Sequence, residues 1–224
     1  MTTQKQTAEE LVAGVTKVSA QRIGFLADDH NGQEEGTDLP SAVLRAFEAV
    51  DLIVHLGHMG VREVTGRGVL ERLAEVAPVF GVRDYTTGAD GEPFLTAAAG
   101  ERVAGLTRII EADGVRIGLV HNLEKSPGVS ITAPPGGLPN LAGIDVHEMI
   151  NVKFGGPVDV VAYGSTHRPA ALLADGVLFV NPGSPTYPKG PGRTAGQASP
   201  GTVGTLTLDG GAVQFEVLDI SLFG

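Results

Sequence analysis

The 224-residue chain predicts an α/β protein in which a parallel-sheet half is followed by a hairpin-rich half. Three observations carry that expectation. Apolar runs of strand length alternate with helix-period segments over residues 22–82, the pattern of βαβ units. Downstream, Asp-Gly turns at 113–114, 175–176 and 209–211 each separate two apolar runs, the pattern of hairpins. Polar clusters holding Asp or His recur directly after the apolar runs.

Taken in order, residues 1–20 read as a polar N-terminal extension, with one amphipathic helix over Ala8–Val18. Residues 21–224 read as a single domain without repeats or a linker. Its first strand is Arg22–Ala27. Leu39–Val50 has helical spacing, with Asp38 as N-cap and Pro40 in the first turn. Asp51–Leu56 is the second strand, Val61–Val76 the second helix and Ala77–Val82 the third strand. Leu106–Glu111 and Val115–Val120 form the first hairpin. A Pro- and Gly-rich loop (127–139) leads to a short helix over Ile144–Val152 and a strand over Val158–Tyr163. Ala171–Ala174 with Val177–Val180, and Thr202–Leu208 with Val213–Leu218, form the other hairpins, separated by a loop over 185–200.

Composition narrows the function classes. The net charge is −10 and the pI about 5.0, which argues against binding nucleic acid or an anionic membrane. The chain has no cysteine, so disulfides, thiolate metal sites and a cysteine nucleophile are excluded. The N-terminus lacks the cationic start and apolar core of a signal peptide, and no apolar stretch is long enough to span a bilayer. A cytoplasmic location is the default expectation. An acidic fold of this sort is compatible with a homo-oligomer, but no interface is legible.

The chemistry-bearing residues sit at strand ends. Asp28, Asp29 and His30 follow the first strand and His58 the second. Arg83, Asp84 and Tyr85 follow the third. His121 and Asn122 follow Ile117–Val120, and Ser165, Thr166 and His167 follow Val160–Gly164. Ligands of open α/β sheets bind beyond the carboxyl ends of the strands, so these clusters are expected to converge. Asp28-x-His30 can turn two donors toward one cation, with His58 and His167 adding imidazoles. One carboxylate with three neutral imidazoles suits zinc, manganese, iron or a similar ion. His55 lies inside a strand and reads as a packed or hydrogen-bonded core residue; His147 reads as surface.

The order of these motifs resembles the calcineurin-like metallophosphoesterase family, small bacterial and archaeal phosphodiesterases in particular. The family pattern runs D-x-H, G-D, G-N-x-D, H-G, G-H-x-H. The chain has "FLADDHNG", "VHLGHMG", "APVFGVRDYTT", "IGLVHN" and "VVAYGSTHRPA" in that order, and its later "DGVLFVNPGSPTYP" is similar to the stretch that closes the phosphodiesterase site. The resemblance implies a four-layer α/β/β/α sandwich and a site for two metal ions bridged by a carboxylate. It places Asp28, His30 and His167 at the first metal, and His121 at the second. His58 replaces the bridging aspartate, Tyr85 the asparagine of G-N-x-D, and Ser165 the first histidine of G-H-x-H. An imidazole presents one lone pair and cannot bridge two ions, and Tyr and Ser are poor ligands when protonated. One divalent transition metal (Zn, Mn or Fe) is therefore expected, held by Asp28, His30, His58 and His167.

The expected activity is hydrolysis of a small phosphate ester or phosphodiester. His121 is the candidate general acid or base and Asp84 its helper, while Arg83, Tyr85, Ser165 and Asn122 are candidates for contacting substrate. Two alternatives stand beside it. One is a non-catalytic binding protein of the same fold, as in the phosphoesterase-like subunit of the retromer coat. The other is a mononuclear metalloenzyme with different chemistry.

Overall fold

Strands dominate because Val, Ile, Leu and Phe alternate or run together between glycine-bearing turns, and the sheets form where those runs can bury both faces. The computed structural model describes residues 12–33, 35–60, 66–84, 103–125, 128, 130–132, 137–189 and 201–224. Its strands are β1 (Val12–Val18), β2 (Arg22–Leu26), β3 (Leu52–His55), β4 (Val79–Gly81), β5 (Thr107–Ala112), β6 (Val115–Val120), β7 (Val160–Tyr163), β8 (Pro169–Ala174), β9 (Val177–Pro182), β10 (Thr202–Asp209) and β11 (Ala212–Asp219). The helices are α1 (Ser41–Ala46), α2 (Arg67–Ala74) and α3 (Val146–Phe154).

Two sheets result. One runs β11-β10-β2-β3-β4, with β2, β3 and β4 parallel; the other runs β1-β5-β6-β7-β9-β8, with β6, β7 and β9 parallel. Period-2 alternation sorts the strand residues into layers. Ile23, Phe25, Val54, Ile117, Leu119 and Leu206 fill the core between the sheets. Leu26 and Ile53, on the opposite face of their strands, meet Val43, Phe47, Val69 and Leu70 from the α1 and α2 side. Ile109, Val161 and Phe179 meet Met149, Ile150 and Phe154 of α3. Three cores between four layers make the α/β/β/α sandwich that the motif order implied.

The three hairpins and the parallel half match expectation. Three local readings do not. Residues 12–18 form a strand, not the end of a helix, pairing parallel with β5 from Val12↔Thr107 to Val18↔Ala112. Val15, Thr16 and Val18 are β-branched and gain more from an open sheet edge than from a solitary helix. The helix expected over Leu39–Val50 is confined to Ser41–Ala46, and single turns carry the chain on to Val50. Asp38 does not cap it; its carboxylate accepts from the Gly32 N–H at 2.9 Å, and Pro40 holds the N-cap position. By contrast Asp145 caps α3 by accepting from the Glu148 N–H at 3.0 Å, and Gly155, with φ +74°, ends it. Residues 61–65 of the expected second helix, and parts of the loops at 127–139 and 185–200, lie outside the described residues.

Candidate metal centre

The parallel strands β2, β3 and β4 of one sheet and β6 and β7 of the other end at the same edge of the sandwich. The loop after β2 runs along the loop after β3: the N–H groups of Asp28, His30 and Asn31 donate to the carbonyls of Gly57, His58 and Met59 at 2.9–3.2 Å. Gly164 lets the second sheet close in, because a Cβ there would sit 2.8 Å from Ala27 Cβ and 3.2 Å from Asp28 Oδ2. Six side chains thereby converge: Asp28, His30, His58, Asp84, His121 and His167.

Asp28 is the hub and is completely buried. Its Oδ2 accepts from the Ser165 N–H at 2.7 Å. Its Oδ1 has no hydrogen-bond partner. Instead it faces His167 Nε2 at 3.6 Å, His58 Nδ1 at 3.8 Å and His121 Nε2 at 3.8 Å. Those separations are beyond hydrogen-bond length. They fall near the ~3.3–3.5 Å expected between ligand atoms of a tetrahedral zinc site with Zn–N of about 2.0–2.1 Å. His30 Nε2 lies 3.2 Å from His167 Nε2, which completes the same shell. His58 Nδ1 is also 3.8 Å from Asp84 Oδ2. Two donor triads result, Asp28-His30-His58 and His58-Asp84-His121, and they intersect at His58.

The tautomers follow from the carbonyls. His121 Nδ1 lies 2.8 Å from Leu56 O, and His167 Nδ1 lies 2.8 Å from Tyr187 O. A carbonyl only accepts, so each Nδ1 carries the proton and each Nε2 turns a lone pair toward Asp28 Oδ1. Burial keeps the rings in that neutral form. It is the main cause that lowers His30 to about 3 and His121 to about 4, and it holds His58 and His167 below the ordinary imidazole value. Burial also pushes the Asp28 carboxyl well up, opposed by the Ser165 amide and reinforced by Asp29 and Asp84. Lone pairs of two imidazoles and a carboxylate oxygen aimed at one point repel unless a cation lies between them. The donor set fits a borderline divalent ion.

Backbone strain concentrates here. Seven described non-glycine residues have positive φ. Asp113 and Asp175 belong to hairpin turns, and the other five are Asp28, His30, His58, Ser165 and His167, at +50° to +67°. Each costs roughly 1–2 kcal/mol, and such outliers persist where the surroundings over-determine them.

The remaining candidates are placed less centrally. Ser165 touches Asp28 through its N–H, while its Oγ accepts from Asn122 Nδ2 at 2.8 Å. Asn122 is fixed further by Glu124 and Lys125, whose N–H groups donate to its Oδ1. Arg83 is half-buried; its N–H donates to Gly105 O and its Nε has no hydrogen-bond partner. Tyr85 lies outside the described residues.

Other residues gain a role that the sequence did not reveal. Asp29 Oδ1 lies 2.6 Å from His55 Nε2, both fully buried, and Gly57 N–H donates to His55 Nδ1 at 3.1 Å. His55 is thus the hydrogen-bonded core residue expected, and it ties the β2 loop to the β3 loop. The 184–189 strap covers the centre: Ser184 Oγ donates to Asp28 O at 2.8 Å and Thr186 Oγ1 to Asp29 O at 2.6 Å. The Tyr187 ring lies 4.9 Å from that of His30, and Lys189 N–H donates to His167 O at 2.9 Å. Only the motif similarity of "NPGSPTYP" pointed to this strap.

Similar proteins agree with the architecture. A probable metallophosphoesterase of Methanocaldococcus jannaschii is 29% identical over 169 residues, 75% of this chain and 70% of that protein. Among solved structures, an archaeal phosphodiesterase superposes with a TM-score of 0.55 at 21% identity, covering 88% of this chain and 99% of the other. Vps29 of Entamoeba histolytica, complexed with Zn2+, superposes with a TM-score of 0.50 at 16% identity, covering 89% and 99%. Both structural likenesses speak to the fold. Residues 22–210 match the calcineurin-like phosphoesterase superfamily domain, and with that match spanning most of the chain, the protein belongs to the calcineurin-like phosphoesterase superfamily.

Proposed function

We propose that this protein is a metal-dependent phosphoesterase with a one-ion centre, acting on a small phosphate ester or phosphodiester. The observation that carries the reading is Asp28 Oδ1: buried, without a hydrogen bond, and faced by the Nε2 lone pairs of His121 and His167. Asp28, His30, His58 and His167 would hold the ion. When bound, it supplies Lewis acidity toward a phosphoryl oxygen and lowers the pKa of a coordinated water.

The one-ion reading rests on His58. Both donor triads need it, and its Nδ1 is equidistant, at 3.8 Å, from Asp28 Oδ1 and Asp84 Oδ2. One nitrogen lone pair serves one ion, so the two triads compete. The protein side chains then do the rest. The carbonyls of Leu56 and Tyr187 orient the His121 and His167 rings. The Ser165 N–H offsets charge on Asp28 Oδ2 and leaves Oδ1 for the ion. His121, whose pKa burial lowers and whose Nε2 lone pair faces Asp28 Oδ1, is the general acid or base of the reaction. Asp84, buried beside His58, supplies a second anionic acceptor.

Protein purified without added metal should carry about one Zn, Mn or Fe per chain by elemental analysis. Reconstituted with each metal in turn, it should hydrolyse p-nitrophenyl phosphate or bis(p-nitrophenyl) phosphate. Two ions per chain at saturation would refute the one-ion centre, and absence of turnover with every metal would refute the hydrolase.

A further inference from the structure

The six converging side chains are closed on one side and open on the other. Asp28, Asp84, His121 and His167 are buried, whereas His30 and His58 are half-buried and lie against each other with ring centroids 3.8 Å apart. These two rings therefore form the face over which a ligand reaches the centre. Tyr187 borders that face: its ring centroid is 4.9 Å from that of His30, with the planes tilted by 58°. It is nevertheless 56% exposed, and no other tyrosine or phenylalanine among the described residues is exposed.

The backbone that carries this ring is anchored on both sides. The Tyr187 N–H donates to Ser184 Oγ at 2.8 Å, and the Tyr187 carbonyl accepts from His167 Nδ1 at 2.8 Å. Ser184 Oγ in turn donates to Asp28 O, and Thr186 Oγ1 to Asp29 O. Pro185 and Pro188 restrict the backbone before and after it. None of these bonds uses the Tyr187 side chain, so the strap holds its place whatever side chain stands at 187. The ring is surface that this anchoring does not consume. On a fixed backbone a tyrosine has two side-chain torsions left, and it offers a broad face at low entropic cost. Tilted against His30 on one side, it keeps area for a second planar ring at the usual centroid spacing of about 4.5–7 Å.

We infer that Tyr187 is a specificity-determining residue of this site: its ring stacks on a planar aromatic group of the ester, so that phosphoesters carrying an aryl ring or a nucleobase are preferred over alkyl esters of equal charge. The inference deepens the phosphoesterase reading and rests on it for the identity of the reacting group, but not for the stacking contact itself.

Calorimetric binding of two matched pairs of probes to the full chain, with equimolar Zn2+ present, tests it. One pair is phenyl phosphate against cyclohexyl phosphate, the other AMP against ribose 5-phosphate. In at least one pair the aromatic member should bind about three- to tenfold more tightly, the worth of an aromatic pair beyond its buried area. Preference within the first pair places the ring directly on the phosphate, and preference within the second places it one sugar away. Tyr187→Phe should keep the preference. Tyr187→Leu, which keeps apolar bulk but no aromatic face, should lose it while its zinc content by elemental analysis stays at the wild-type level. Should Tyr187→Leu fail to fold, Tyr187→Gln must show the same loss. Equal affinity within both pairs, binding of none of the four probes, loss of the preference in Tyr187→Phe, or a preference that survives Tyr187→Leu overturns the inference. Loss of zinc along with the preference overturns it too, in favour of a structural role for the ring. Turnover of p-nitrophenyl esters is scored separately: a binding preference without turnover removes the hydrolase and leaves the stacking contact, and turnover without the preference does the reverse.

Discussion

Asp28→Asn should move stability in opposite directions with and without metal. In the metal-free protein, Asp28 Oδ1 is buried with no hydrogen-bond partner, and burial raises its pKa well above the carboxylate range. An unsatisfied buried polar group costs about 1–3 kcal/mol. Asparagine keeps the shape and an Oδ1 acceptor for the Ser165 N–H, and it turns an N–H donor toward the Nε2 lone pairs of His121 and His167. The metal-free variant should therefore be more stable by about 1–3 kcal/mol, or roughly 2–10 °C in Tm for a chain of this size. With metal the order reverses. At a hundredfold excess over Kd, an ion stabilises the wild type by about 2.7 kcal/mol. The variant has lost the only anionic donor of the proposed ion shell and should gain little. Scanning calorimetry in EDTA and in excess Zn2+ reads both arms. A metal-free variant less stable than wild type, together with a metal-induced shift of wild-type size, would refute the account of Asp28 as a carboxylate waiting for a cation.

Three further expectations follow from other parts of the molecule. His58→Asp restores a donor with two oxygens between Asp28 and Asp84, so elemental analysis should show the ion count rising from about one to about two per chain. Buried Lys153, lowered to about 8 by desolvation, binds fewer protons folded than unfolded between that value and about 10.4. Its stability contribution is therefore full above the unfolded pKa and lost as pH falls through about 8. Tm should climb between pH 8 and 10, before the raised pKa of buried Tyr163 begins to oppose it, and Lys153→Met should flatten the climb. Gly24→Ala places a methyl 2.8 Å from the Phe47 ring that packs on β2, and urea unfolding should report a loss of about 1–3 kcal/mol.

The fold was legible because its determinants are local and periodic. Apolar runs, Asp-Gly turns and helix spacing placed every described β-strand except the first. Val12–Val18 escaped because a strand at a sheet edge depends on its neighbour, here the β5 run from Thr107 to Ala112, which lies far along the chain. Asp38 misled for the opposite reason: it has a capping side chain at the expected spacing, but the Gly32 N–H of the preceding loop is the donor it meets.

The convergence of Asp28, His30, His58, Asp84, His121 and His167 was legible because each follows a strand, and parallel strands deliver their ends to one edge. Their protonation pattern was not legible, and it is what turns a polar cluster into a ligand shell. His121 is set by a carbonyl 65 residues away at Leu56, and His167 by one 20 residues away at Tyr187. Backbone carbonyls leave no mark in residue identity, so no motif could assign those tautomers. The same holds for strain. Asp, Ser and His occupy φ values of +50° to +67° at five positions around one carboxylate, an arrangement that folding alone does not favour. Neutral imidazoles aimed at an unpaired carboxylate oxygen, on a backbone bent to aim them, oppose the stability of the metal-free state at each step. In the proposed one-ion centre, a cation between Asp28 Oδ1 and the facing imidazole nitrogens relieves that repulsion and gives the strained geometry its use.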